Sequence, residues 1–334
     1  MELDPSSFDI AQHPLMRDAA ILPTPAVELF VNAIRTWLEL LLPGGIVWGN
    51  FRTGKTQAIR YFLNNSYELL GLRIPTYFLS AWDPDGHAVT ENRFYSEMLS
   101  VLGYGLTYKG TGLIKRRRAI DFVVDEVGRQ KEHRALLFVD EAQWLNTRMY
   151  RFLMDFHNQL KRANVRLVVV LVGQPEILET REEMRGLRQG HIIGRFMTAT
   201  HQFKGAQLED LECMALAMDQ TSEYPAGTGC KYTQFFLPKA YQAGWRLKDN
   251  IPRIWEILTA TCSANGVPEF TELPMQGISA MLRALMQEFR QLDCPTFAVP
   301  EGVVRKVIET VALQQFHDHI VQVADRATSR TQFG

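Results

Sequence analysis

Gly49-Asn50-Phe51-Arg52-Thr53-Gly54-Lys55-Thr56, entered from the apolar run Ile46-Val47-Trp48, fits G-x-x-x-x-G-K-[ST], the pattern of a loop that wraps phosphate. Its glycines let backbone N–H groups turn inward on an anion. Lys55 brings a point charge to the β and γ phosphates, and the Thr56 hydroxyl offers a ligand to Mg²⁺. Such a loop needs a strand running in and a helix running out. Ile46 to Trp48 follow the Gly44-Gly45 break as a short buried strand, while Ala58, Ile59, Phe62 and Leu63 recur at helical spacing after Thr56. The helix N-terminus then directs its positive dipole end at the phosphates. Gly49 through Thr56, with Gln57 behind them, are therefore expected to contact ATP, with Mg²⁺ as its companion ion.

Outward from the loop, strands and helices alternate. Thr24-Pro25 opens a helix with a capping hydroxyl and proline at the first helical position, followed by the apolar stripe Val27, Phe30, Val31, Ile34, Leu38 and Leu41. Strands are predicted at Ile74–Ser80, Ala135–Val139, Leu167–Val172 and about Phe196–Phe203. Helices fall between them: Phe94, Met98 and Leu102 mark one, Leu113 to Gln130 a second, and Met149, Leu153, Phe156 and Leu160 a third. This order predicts an α/β fold, a parallel five-stranded sheet with helices on both faces. After Gly205 every periodic segment is helical: around Leu208–Met218, Ile254–Leu258, Ile278–Phe289 and Val304–Val311. The expected division is a P-loop core with an N-terminal helical segment over 1–204, and a C-terminal helical lid with a polar tail over 205–334.

The second half of the nucleotide site is Ala135-Leu136-Leu137-Phe138-Val139-Asp140-Glu141, a buried strand ending in two acids. This is a Walker B pattern: at the carboxyl edge of a parallel sheet Asp140 can hold Mg²⁺ through water, and Glu141 can polarise the attacking water. The next strand ends in Gly173-Gln174, which makes Gln174 a candidate sensor of the γ-phosphate. No cation accompanies the acid pair, and in ring ATPases a neighbouring subunit supplies one. Arg195, directly before the last strand, is the expected arginine finger and Arg188 the reserve. Asn250-Ile251-Pro252-Arg253 reads as a helix start in the lid, with Arg253 placed to report nucleotide state.

Phosphate loop, Asp-Glu strand end, polar strand tip, arginine before the fifth strand and Pro-Arg helix start occur in the order found in the AAA+ ATPases, and over about residues 20 to 312 the chain resembles them. Among these, His13-Pro14, Val139-Asp140-Glu141-Ala142-Gln143 and Gly173-Gln174-Pro175-Glu176 look like the TnsC/TniB transposition regulators, related to MuB and ExeA-like ATPases. The sensor position departs from the usual Asn, Ser or Thr. The resemblance implies a Mg²⁺-dependent ATPase that binds double-stranded DNA and forms a homo-oligomeric ring or filament on it. It also implies a link between a target selector of the TniQ/TnsD type, CRISPR-guided in some systems, and the transposase.

Lys115-Arg116-Arg117-Arg118 is the densest basic run and stands beside Tyr108-Lys109-Gly110-Thr111. With the apolar face set at Ile120, Val124 and Val127, a step of about 100° per residue puts Lys115 and Arg118 on the far side and Arg116 and Arg117 on the flanks. Lys109, Thr111, Lys115, Arg116 and Arg118 are thus the expected DNA phosphate contacts.

Composition sets bounds on these readings. A hydrophobic fraction of 46% and a charged fraction of 22% are those of an ordinary globular chain, and a net charge of −1 means that any DNA contact rests on a local patch. Cys213, Cys230, Cys262 and Cys294 form no C-x-x-C pair, so neither zinc nor a disulfide framework is favoured. No apolar run reaches the length of a membrane span, and Glu2, Asp4 and Asp9 do not make a secretory leader, so a cytoplasmic protein is expected. Two other readings share the site: an AAA+ helicase loader or secretion ATPase, and a P-loop small-molecule kinase. Arg195 and the helical part count against the kinase, which needs an acceptor pocket rather than an intersubunit finger.

Overall fold

Five short runs become five parallel strands, the three central ones apolar and buried on both faces and the two at the edges partly exposed. A computed structural model describes residues 8–20, 22–82, 89–267 and 270–321. The strands are β1 Gly44–Trp48, β2 Thr76–Ser80, β3 Arg134–Asp140, β4 Arg166–Gly173 and β5 Ala199–Gln202, in the order β2-β3-β4-β1-β5. Register runs Ser80 beside Asp140, Val139 beside Leu171, and Trp48 beside both Gly173 and Gln202. The carboxyl ends of β1, β3 and β4 therefore lie at one edge, where ligands bind in open α/β sheets.

Alternation along β3 sends side chains to two faces. Phe138 meets Phe30 of α1 (Pro25–Glu39) and Phe62 of α2 (Lys55–Leu70), at ring separations of 6.0 and 5.3 Å. Leu137 and Val139 join the opposite core with α3 (Glu91–Val101), α4 (Gly112–Arg129) and α5 (Thr147–Arg162). The stripe read from sequence on α5, Met149, Leu153, Phe156 and Leu160, is wholly buried there. Two shorter helices, α6 (Glu176–Gly186) and α7 (Gly190–Phe196), precede β5.

The remaining helices are α8 (Leu208–Gln220), α9 (Tyr232–Phe236), α10 (Pro238–Gln242), α11 (Leu247–Ala264), α12 (Met275–Gln291) and α13 (Glu301–Val307). With the helical segment 308–321 they build a second core on Leu211, Ile254, Leu282, Phe289 and Phe316, which also takes in Leu15 and Leu22. The chain separates into two units. One holds the described residues within Met1–Leu29, Asn50–Gly54 and Lys204–Gly334; the other holds Phe30–Gly49 and Lys55–Phe203. The N-terminal segment expected with the sheet groups instead with the helices, because its Leu15, Leu22 and His13 are buried among their side chains. The loop tip, Asn50–Gly54, also groups with the helices.

Helix α11 begins three residues before the expected Asn250, and Pro252 lies inside it. The cause is the Asp219 carboxylate, which accepts from Leu247 N at 3.1 Å and Lys248 N at 2.9 Å and so caps the helix from α8. The four cysteines are free, two buried and two half-buried. Among the described residues no helix is long and apolar enough to cross a membrane. The polar tail after about 323, like Glu2 and Asp4, lies outside the described residues.

Candidate nucleotide site and basic surface

The phosphate loop is shaped by its neighbours before any ligand is considered. Gly49 continues β1 by donating to Gly173 O at 3.2 Å, and a Cβ on it would lie 2.1 Å from Phe203 O, so only glycine fits at that first position. The chain turns through left-handed Arg52 (φ 58°) and Gly54 (φ 103°) and enters α2 at Lys55. Lys55 is buried and donates from Nζ to Gly49 O at 2.8 Å, which puts its charge inside the curl of the loop. Asn50, Phe51, Arg52 and Thr53 form the turn, with Thr53 Oγ1 donating to Asn50 O at 2.9 Å; Gln57 is exposed on the first turn of α2.

Thr56 and Asp140 are brought together. The Thr56 hydroxyl donates to Asp140 Oδ2 at 2.7 Å, across 84 residues of chain. Burial holds the Asp140 carboxyl above the ordinary carboxylate range and the Glu141 charge adds to this, while the Thr56 hydroxyl pulls the other way. A hydroxyl and a carboxylate oxygen, hard ligands in contact beside a buried lysine, suit a small divalent cation bound with phosphate. The residues fit Mg²⁺ and a triphosphate.

Glu141 follows in a left-handed conformation (φ 53°, ψ 36°), its own N–H donating to Asp140 Oδ1 at 3.0 Å. That kink turns the chain out of β3 and separates the directions of the two carboxylates, one toward Thr56 and the other toward Gln143. Gln174 sits half-buried between β4 and α6, and its backbone N–H donates to Gln143 Oε1 at 3.2 Å. In the sequence Gln143 stands out only as part of a family signature, and its offset of two from Glu141 is the one signal that points to the carboxylate.

Arg195 lies near the end of α7 rather than directly before β5, which begins only at Ala199, and its Nη1 donates to Asn158 Oδ1 at 2.5 Å. Arg188 is exposed with φ 57°. Arg253 is 51% exposed and paired with Glu256 at 2.6 Å and Glu301 at 2.7 Å, both from the helical unit.

The basic run is corrected by the phase of α4. Its buried residues are Lys115, Ala119, Val123 and Val127, spaced by four, so the buried stripe passes through Lys115 and leaves Ile120 and Val124 at its margin. Lys115 is 3% exposed and donates to Asn92 Oδ1 at 2.5 Å and Ser96 Oγ at 2.7 Å on α3. Arg116 pairs with Asp155 at 2.8 Å and Glu91 at 3.3 Å. Thr111 is the N-cap of α4, accepting from Ile114 N. Arg118 donates to Lys109 O at 2.6 Å and remains partly exposed, while Lys109, Tyr108 and Arg117 are exposed, Arg117 at 80%. Of the expected set, Lys109 and Thr111 are exposed, Arg116 and Arg118 are partly exposed and Lys115 is buried, while Arg117, set on the flank, is exposed.

Residues 44–180 match the family described as AAA domain. The chain is similar in structure to the Aeropyrum pernix ORC1 protein, solved in complex with DNA, at 13% identity and a TM-score of 0.50, covering 88% of this chain and 68% of that one. It also aligns with the Aeropyrum pernix ORC2 protein (14% identity, TM-score 0.45, 96% of this chain and 99% of that one) and with Cdc6p from Pyrobaculum aerophilum (12%, TM-score 0.39, 92% and 97%). No curated protein matches the sequence. The matched segment holds β1 to β4 of the parallel five-stranded sheet.

Proposed function

We propose that this chain is an ATPase that binds duplex DNA, assembles on it as a ring or filament, and regulates transposition by connecting a target selector of the TniQ/TnsD type with the transposase. The observation that carries the ATPase reading is the 2.7 Å contact of Thr56 with Asp140, which joins phosphate loop and acid strand at one point. Mg²⁺, when bound, neutralises charge on the β and γ phosphates. Thr56 and Asp140 would hold it, Lys55 would bind the same phosphates, and Glu141 would orient and polarise water. Gln174 stands at the tip of β4 as the sensor, and Arg195 is the finger offered to a neighbouring subunit.

DNA binding is supported by exposed Lys109 and Arg117 and partly exposed Arg118 around the start of α4, where contacts to phosphate are sequence-tolerant and salt-dependent. The structurally similar Aeropyrum pernix ORC1 protein was solved in complex with DNA, a precedent for this fold. The transposition role rests on the resemblance of the Asp140-Glu141-Ala142-Gln143 and Gly173-Gln174-Pro175-Glu176 runs. In the fold these two runs are joined by a hydrogen bond from Gln174 N to Gln143.

Electron microscopy of the protein with duplex DNA and a slowly hydrolysed ATP analogue tests the assembly. Rings or filaments that need nucleotide support it, and tight DNA binding without any nucleotide sinks the switch. Reconstitution with transposase and selector tests the rest: target choice that is unchanged when this protein is omitted removes the transposition role.

A further inference from the structure

Gln143 is held at both ends of its amide. Nε2 donates to Glu141 Oε2 at 2.5 Å, and Oε1 accepts from Gln174 N at 3.2 Å. Space for the bridge comes from Gly173, where a Cβ would lie 2.6 Å from Gln143 Oε1, a distance real contacts do not reach. The next turn is short: Ala142–Trp144 form one 3-10 turn that returns Gln143 toward Glu141, with Trp144 N donating to Glu141 O at 3.0 Å.

We infer that Gln143 is a positioning residue for ATP hydrolysis, tying the Glu141 carboxylate to the backbone of the sensor loop at Gln174. An amide is the side chain this task requires, because it donates to a carboxylate at one end and accepts from an N–H at the other. Glu141 stands in a left-handed turn with a flexible side chain, so its direction is set by what it bonds. Gln143 fixes that direction, and any shift of Gln174 toward a phosphate moves the anchor of the same amide. Sensor and water-polarising carboxylate thereby move together. The inference rests on the ATPase reading above and adds a residue that acts through Glu141 without touching substrate.

The test measures kcat for ATP hydrolysis and, separately, Kd for a slowly hydrolysed ATP analogue, on the full chain. Gln143→Ala is expected to lower kcat about 10- to 100-fold with Kd unchanged. Gly173→Ala keeps the glutamine but places a methyl where its oxygen lies, and is expected to reproduce the loss. Gln143→Glu holds the volume and can still accept from Gln174 N–H but cannot donate to Glu141, so it too loses kcat, and it serves if the alanine variant does not fold. Wild-type kcat in folded Gln143→Ala or Gln143→Glu overturns the inference, as does a loss of affinity equal to the loss of rate. Turnover that needs Lys55 and Glu141 but ignores Gln143 removes this inference alone; a wild-type protein with no turnover removes the ATPase reading itself.

Discussion

Asn50 donates its side-chain amide to Glu272 Oε1 at 3.0 Å, while Glu272 Oε2 accepts from Gly205 N at 2.9 Å. One carboxylate thus ties the tip of the phosphate loop to the start of the helical part, within the same unit. Two further contacts secure the tip: Gln276 N donates to Arg52 O at 3.3 Å, and the Phe51 ring lies 5.5 Å from buried His319. Glu272→Ala removes an acceptor from two donors at once and is expected to cost about 1–3 kcal/mol of stability. With the tip less fixed, ATP affinity should fall about threefold or more, whereas Glu272→Gln, which keeps one acceptor, should fall less. Calorimetric Kd values decide it; unchanged affinity in Glu272→Ala would show that the clasp serves folding only.

The Thr56 and Asp140 pair leads to a separable set of losses. Lys55→Ala should abolish nucleotide binding, because its charge is the one buried inside the loop. Glu141→Gln should keep binding, block turnover and trap the assembly on DNA. Asp140→Asn should bind nucleotide but lose Mg²⁺-dependent hydrolysis by at least a factor of about 100. The burial that raises the Asp140 pKa means its carboxylate takes up a proton at a higher pH than an ordinary aspartate as pH falls. The Mg²⁺ requirement should therefore steepen on the acid side. Equal turnover for Asp140→Asn and wild type would remove Asp140 from the metal site.

The phase of α4 makes opposite predictions for adjacent cations. Charge reversal at Arg117 or Lys109, both exposed, should weaken DNA binding and reduce the slope of log K against log salt by about 1 for each phosphate that is no longer neutralised. Charge reversal at Lys115 buries a carboxylate against Asn92 Oδ1. It should cost about 3 kcal/mol of stability and alter DNA binding only through unfolding. Salt titrations beside denaturant curves separate the two, and a salt slope that responds to Lys115 but not to Arg117 would restore Lys115 to the DNA-facing side.

Legibility in the sequence depended on what each feature needs. The central strands and the α5 stripe were legible because their burial is written in local sequence, and the phosphate loop because its geometry demands glycine at fixed offsets. Lys115 misled because a lysine normally marks the solvent face, whereas here Asn92 and Ser96, on another helix, satisfy it in the interior. The start of α11 depends on Asp219 and the fixing of the loop tip on Glu272, partners 28 and 222 residues away in the chain. No local pattern encodes such contacts, and only the fold brings them together.

Acid should destabilise both units over one window. His13 is buried against Tyr224, Tyr232 and Phe236 and accepts from Leu15 N through Nδ1 at 3.1 Å, which requires the neutral ring. Burial, with the Arg290 charge adding to it, lowers its pKa from 6.5 to about 4. Burial and the Arg195 charge lower His157 in the sheet unit to about 4 as well. The unfolded chain therefore binds more protons than the folded one between about pH 4 and 6.5, and stability falls as pH falls through that window. His13→Phe should flatten the pH dependence of the urea midpoint there, whatever its effect at neutral pH. An unaltered slope would place the proton uptake elsewhere.

Arg195 donates to Asn158 Oδ1 on α5 within its own protomer, so its guanidinium is held at a defined point near the end of α7. If that point faces a neighbour's phosphates, Arg195→Ala should bind nucleotide normally and lose about 10³-fold or more in kcat. The discriminating assay is a mixture. Arg195→Ala subunits keep an intact Glu141 site, and Glu141→Gln subunits bind nucleotide and keep the arginine, so neither homogeneous assembly turns over. Mixed assemblies contain interfaces with one good site and one good finger, and activity should rise above the sum of the separate proteins. An arginine acting on its own protomer's nucleotide cannot be complemented in this way, because both of its required groups must sit in one chain. Recovery with Arg188→Ala but not with Arg195→Ala would transfer the role to Arg188, and full activity of Arg195→Ala alone would end it for Arg195.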